Sequence, residues 1–200
     1  MQLPRFKTLG LAAAMTTLLM VLSGCGINNI PTYDEAVKAS WSQVLNQYKR
    51  RADLVPNLVS TVKGYAAQEK EVLTAVTEAR SRVTQTQVPA DILTNPEAFQ
   101  QFQQNQSALS SALSRLMVVV ERYPDLKSSQ NFLTLQSQLE GTENRISVAR
   151  RDYIQAVQRY NTEIRTFPGR IWHAILYSDA ELKENFQITE AEQQTPQVSF

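Results

Sequence analysis

SSQNFLTLQSQLEGTENRISVARRDYIQAVQRYNTEIRTFPG, residues 128–169, holds the best helical register in the chain. Phe132, Leu135, Leu139, Thr142, Ile146, Ala149, Tyr153, Ala156, Tyr160, Ile164 and Phe167 recur every three or four residues, the spacing that puts side chains on one face of an α-helix. Such a heptad packs against a neighbouring helix in coiled-coil style. Ser128 or Ser129 can cap its start, and Pro168-Gly169 ends it. Thr142 is its polar member, and Gly141 beside it and Gly64 upstream offer places for close backbone approach.

The same period runs through the rest of the chain, punctuated by Pro31, Pro89, Pro96, Pro124 and Pro168. Asn95-Pro96-Glu97 opens a helix with a cap, a proline at its first position and an acid at its positive end. Its inner face reads Phe99, Phe102, Leu109, Leu113, Leu116, Val120 and Tyr123, and its glutamines, Gln100, Gln101, Gln103, Gln104 and Gln106, read as a solvated face. A first helix is expected from Thr32, in a capping box with Glu35. Its apolar line runs Tyr33, Val37, Trp41, Val44, Tyr48, Ala52, Val55, Val59, Val62, Ala66, Leu73 and Val76.

Pro56 lies inside that line and frees a carbonyl, for which Asn57 is the nearby donor. The unbroken register favours a kink there over a stop. A helix from 33 to 86 would be about 80 Å long against about 40 Å for its neighbour. Either it projects beyond its partners or it folds back at Pro56. After Pro168, Ile171, Trp172, Ile175 and Leu176 form an apolar turn or two, and Leu182 and Phe186 another short amphipathic piece. Residues 189–200 are polar and acidic and read as a loose tail. No stretch alternates as a strand does, so the expected fold is all-α, one domain over residues 32–188.

Residues 1–24 have another character. Arg5 and Lys7 precede an apolar run from Leu9 to Leu22, too short for a membrane span and laid out as a secretory signal. Leu22-Ser23-Gly24-Cys25 resembles the lipobox of bacterial lipoproteins, with the only cysteine of the chain at its end. That resemblance implies cleavage between Gly24 and Cys25, diacylglycerol and fatty acyl groups such as palmitate on Cys25, and membrane attachment. Gly26 at the next position, where Asp would signal inner-membrane retention, implies the outer membrane, facing the periplasm, with the inner membrane as the alternative. Residues 25–31 then form a short lipidated tether. With its one thiol acylated the domain has no disulfide and is held by packing.

The 20 basic and 19 acidic side chains nearly cancel, which together with an export signal argues against nucleic-acid binding. Lys49-Arg50-Arg51 and Arg150-Arg151 are the densest basic spots, suited at most to lipid phosphates. His173 is the one histidine and has no second metal-spaced ligand. Glu140 with Glu143, and Glu69 with Glu71, read as solvated acids interleaved with arginine and lysine. No phosphate loop, nucleophile elbow or zinc motif is present. No catalytic residue, metal or cofactor is expected.

Arg50-Arg51-Ala52-Asp53-Leu54-Val55-Pro56-Asn57-Leu58-Val59, with Val62-Lys63-Gly64-Tyr65-Ala66, is similar to the hallmark segment of the LemA family. Glu121-Arg122-Tyr123-Pro124-Asp125-Leu126-Lys127, Glu143-Asn144-Arg145-Ile146 with Arg150, and Tyr160-Asn161 leading to Phe167-Pro168 extend the resemblance in the family's order. It implies an antiparallel up-and-down bundle of three long helices and a shorter fourth, in a membrane-attached envelope protein without established enzymatic activity. It also suggests protein partners in the envelope, a membrane metalloprotease among them. The chain departs from the pattern twice: a lipobox stands where relatives often have a spanning helix, and Tyr153-Ile154 stands where the first of two Tyr-Asn pairs is usual. The polar motif residues Asp53, Asn57, Glu143, Asn144 and Asn161 are expected to form an internal network that sets helix register, with a ligand or partner site as the alternative.

Overall fold

A computed structural model describes residues 26–85 and 87–186. These form six α-helices: α1 Asn29–Tyr65, α2 Lys70–Gln85, α3 Pro96–Val120, α4 Pro124–Lys127, α5 Gln130–Arg165 and α6 Gly169–Leu176. Helix α1 packs against α5 in antiparallel fashion, Asn29 meeting Glu163 and Arg51 meeting Glu143. Helix α3 runs parallel to α1, with Phe99 and Phe102 against Trp41 and Gln106 against Arg51. Helix α2 returns along α1, Arg80 reaching Ala52. The result is an all-helical, up-down-up-down bundle.

The first helix departs from expectation at both ends. It begins at Asn29, and the Thr32 amide already donates to the Asn28 carbonyl at 3.1 Å, so Thr32 sits within the first turn and caps nothing. Pro31 is tolerated there because early helical amides have no partner to lose. Gly26, at φ +82°, makes the tight turn whose carbonyl accepts the Asn29 amide. Residues 29–31 are therefore helix, which shortens the expected tether.

The helix does not stop at Pro56, in line with the reading that favours a kink over a stop, and it does not fold back there. It runs through to Tyr65 and reverses at Ala66–Glu69. The carbonyl that Pro56 leaves without a backbone donor is that of Ala52, and Arg80 Nε donates to it at 3.0 Å. Asn57 faces solvent and takes no part. The short member of the bundle is thus α2, cut from the expected first helix.

Asn95 caps α3 as expected, its side chain accepting the Ala98 amide at 3.1 Å, and Ser129 stands at the start of α5 without a side-chain cap bond. The α5 register holds from Phe132 to Ile164, with Val157 buried beside Ala156, whereas Phe167 is 75% exposed. Neither Gly64 nor Gly141 meets another helix backbone; the close approach is at Gly169, where an added methyl would lie 2.2 Å from the Glu163 carbonyl oxygen. Leu182 and Phe186 form no helix. Residues 177–186 are a non-helical strap across the bundle that opens with a turn at 177–180, with Phe186 packed among Trp41, Phe99 and Tyr153.

The interior divides in two. An aromatic core around Trp41, Tyr48, Phe99, Phe102, Tyr153 and Tyr160 fills the end near residue 29. An aliphatic core around Val55, Val62, Val76, Leu109, Leu116 and Leu139 fills the other. The buried polar residues, Arg51, Gln106 and Thr142, lie at the level between them.

Candidate functional site

Arg51 belongs to the apolar line of α1, three residues past Tyr48, and so is carried inward: it is 2% exposed. Its guanidinium ties three helices together. Nη1 donates to Ser110 Oγ at 2.7 Å and to Glu143 Oε1 at 3.1 Å, and Nη2 donates to Gln106 Oε1 at 2.7 Å and to the Gln106 carbonyl at 3.1 Å. The Tyr48 ring lies 5.0 Å from its central carbon. A planar fork of donors suits this role, because it holds two nitrogens in fixed directions toward two different helices.

Beside the guanidinium opens a polar cleft of about 140 Å³, lined among others by Gln103, Ser107, Glu143, Arg150 and Phe186. Arg150 stacks over the Phe186 ring at 4.6 Å and closes one side. The cleft holds serines and a carboxylate, with neither histidine nor cysteine among its lining residues, and that carboxylate, Glu143, is engaged by Arg51. Among the described residues, no group of three or more His, Cys, Asp or Glu could hold a metal ion. His173 Nε2 lies 3.0 Å from the Ala180 carbonyl and braces the strap.

The expected internal network is therefore partly real. Glu143 belongs to it, and Arg51, read from sequence as a basic surface spot, is its centre. Asp53, Asn57 and Asn144 do not belong: all three are exposed. The α1 register explains this, since Asp53 and Asn57 fall opposite the buried line Ala52, Val55 and Leu58. Asp53 bonds only its neighbour one turn back, Lys49, at 2.9 Å. Arg50, Pro56 and Asp125 are exposed as well, and Pro124 starts α4.

Tyr123 and Asn161 act at the reversals. The Tyr123 hydroxyl donates to Glu69 Oε1 at 2.8 Å and accepts from Gln68 Nε2 at 2.9 Å, clasping the turn between α1 and α2. The Glu69 carboxylate raises the Tyr123 pKa, so the hydroxyl stays protonated and donating. Asn161 pairs twice with Lys183, donating to its carbonyl and accepting its amide, each at 2.9 Å. The Tyr153 hydroxyl donates to the Glu184 carbonyl at 2.7 Å, and burial raises its pKa. Tyr160, whose pKa burial pushes up to about 12, lies beneath the Lys183 ammonium. Lys183 also pairs with Asp34 at 2.9 Å.

Sequence reasoning missed Gln106, Arg80 and the whole strap. Gln106 was legible: it falls on the line Phe99, Phe102, Leu109, where only a satisfied polar group can sit. Gly24 and Cys25 lie outside the described residues.

A model of the LemA family matches residues 40–200. Magnetosome protein MamQ 2 of Paramagnetospirillum magneticum is 27% identical over 181 residues, covering 81% of this chain and 64% of that protein. Magnetosome protein MamQ of Magnetospirillum gryphiswaldense is 27% identical over 178 residues, with the same coverage of 81% and 64%. Protein LemA of Metamycoplasma hominis is 28% identical over 119 residues, 60% of this chain and 50% of its own length. The chain thus spans less than two thirds of the length of these relatives. The family match takes in both halves of the Arg51–Glu143 network, the Tyr123 clasp and the Asn161 strap anchor, and on that match the chain belongs to the LemA family.

Proposed function

We propose that the chain is a lipid-anchored, non-enzymatic helical module that binds a protein partner at the surface of a bacterial envelope membrane. Cleavage after Gly24 would leave Cys25 to carry diacylglycerol and fatty acyl groups, and Gly26 at the next position favours the outer membrane, facing the periplasm. No described helix is long and apolar enough to cross a membrane.

The observation that carries the partner-binding reading is the stripe Arg50, Asp53 and Asn57, family-motif residues that point away from the bundle. None of them holds two helices together. Beside the stripe, Leu45, Lys49, Asp53, Val83 and Val88 line a groove of about 380 Å³ with an apolar floor and a charged rim. That pairing suits an amphipathic protein segment.

A photo-crosslinking side chain placed at Asn57 of the full-length chain in intact cells tests this, with Ser137 as an exposed control on α5. A discrete protein adduct at 57, absent at 137 and weakened by Asp53→Arg without a fall in melting temperature, is expected. No adduct at 57, or the same adduct at both positions, overturns the reading. Identification of the adduct as a membrane metalloprotease would make the module its adaptor.

A further inference from the structure

The end of the bundle nearest Cys25 also carries an apolar patch. Phe167 is 75% exposed, Ile175 67%, Leu176 52% and Ile171 45%, four large apolar side chains within ten residues. Ile171 and Ile175 stand one turn apart on the outer face of α6, while Trp172 on its other side packs toward the aromatic core. A soluble helix normally turns such residues inward.

Two contacts fix α6 beside the start of the domain. Asn29 donates to Glu163 Oε1 at 3.1 Å. A methyl added to Gly26 would lie 3.6 Å from the same Glu163 oxygen, and one added to Gly169, the first residue of α6, would lie 2.8 Å from it. Gly26 and the start of α6 thus share one carboxylate as a neighbour. Cys25 is one residue from Gly26, about 3.8 Å of chain. Arg165 and Arg170, both exposed, flank the patch, while Asp179 and Glu181 lie on the strap beside Ile30 and Tyr160.

We infer that α6 is a second membrane contact: Phe167, Ile171, Ile175 and Leu176 enter the interfacial region of the bilayer, and the bundle stands end-on. The occupant is a lipid surface because the acyl chains on Cys25 bring it to this end, and because arginines beside apolar side chains match phosphate above acyl chains. The lipid sets affinity; α6 sets orientation. This inference rests on the lipid attachment proposed above.

The test uses the full-length chain, isolated with its membrane anchor and reconstituted into phosphatidylethanolamine/phosphatidylglycerol vesicles. An environment-sensitive thiol-reactive fluorophore is placed on Ile175→Cys, or on Leu133→Cys at the opposite end of the bundle, where Leu133 is 44% exposed. Emission at 175 is expected to shift to the blue and to be quenched by lipids bearing a nitroxide near the headgroup, with neither change at 133. A chain that floats with the vesicles but shows the same aqueous emission at 175 and 133 overturns the inference and leaves lipid attachment standing. A blue-shifted, unquenched signal at 175 also overturns it, since a protein would then be the cover. Labelling of Cys25 in the unsubstituted chain, with no flotation, removes the lipid attachment itself and the inference with it.

Discussion

Arg51 and Pro56 sit five residues apart on α1 and set opposite problems, a buried set of donors and a carbonyl with none. The first is answered at Nη1 and Nη2 by Gln106, Ser110 and Glu143, the second by Arg80 from α2. Arg80→Met should therefore cost about 1–3 kcal/mol by leaving the Ala52 carbonyl unsatisfied. In a Pro56→Ala background, whose amide can supply the missing bond, the same change should cost clearly less. Urea unfolding of the four chains measures the coupling, and equal losses in both backgrounds would show that Arg80 acts by packing alone. Asp34 gives the pH dependence. Burial opposes its ionisation, but Lys38 and Lys183 outweigh burial and hold its carboxyl below the ordinary value of 3.8. The unfolded chain thus binds the proton at higher pH than the folded one, and the stabilisation is complete above about pH 4 and lost as pH falls through the folded value. Acid should loosen the strap at Lys183 first. Asp34→Asn should abolish that step in a pH series of tryptophan fluorescence.

Motif residues sort by what their element needs. Asn161 holds the strap by two bonds, whereas Asn57 holds nothing described. Asn161→Leu should expose the Lys183 backbone, cost about 1–3 kcal/mol and lower the melting temperature by roughly 2–10 °C in a domain of this size. Asn57→Leu should leave it within about a degree or two, the usual range of a surface change. Limited proteolysis within 177–186 should accelerate for the first variant alone. Calorimetry that ranks the two in the opposite order would reverse this division. The helices were legible because their apolar period is unbroken, and the Asn95 cap because its chemistry is local. The reversal at Ala66 was not, because the register crosses it in phase and Pro56 offered a stronger local signal. What made Pro56 harmless comes from Arg80, 24 residues downstream, and no local rule reaches that far. The strap escaped for a similar reason: its order derives from Tyr153, Asn161 and Leu93, not from any period of its own.

Across the whole molecule, the two cores meet at the polar level of Arg51, Gln106 and Thr142. Arg51→Ala should cost about 3 kcal/mol or more by leaving buried partners unpaired. It should also separate the ends: hydrogen exchange in the aliphatic half, residues 55–79 and 109–139, should lose step with exchange in the aromatic half. Uniform acceleration over both halves would instead mean that one cooperative unit spans the level. Helix α1, with 37 residues, gives the bundle a length of about 55 Å. On the proposed lipid attachment at Cys25 and end-on stance, it would act as a height gauge. Asp53, 24 residues up from Asn29, would then ride about 35 Å above the bilayer, beyond the reach of another protein's short juxtamembrane tail. A partner engaging that stripe would itself have to rise to that height, so the α1 length would select ligands by stature before any side chain is read.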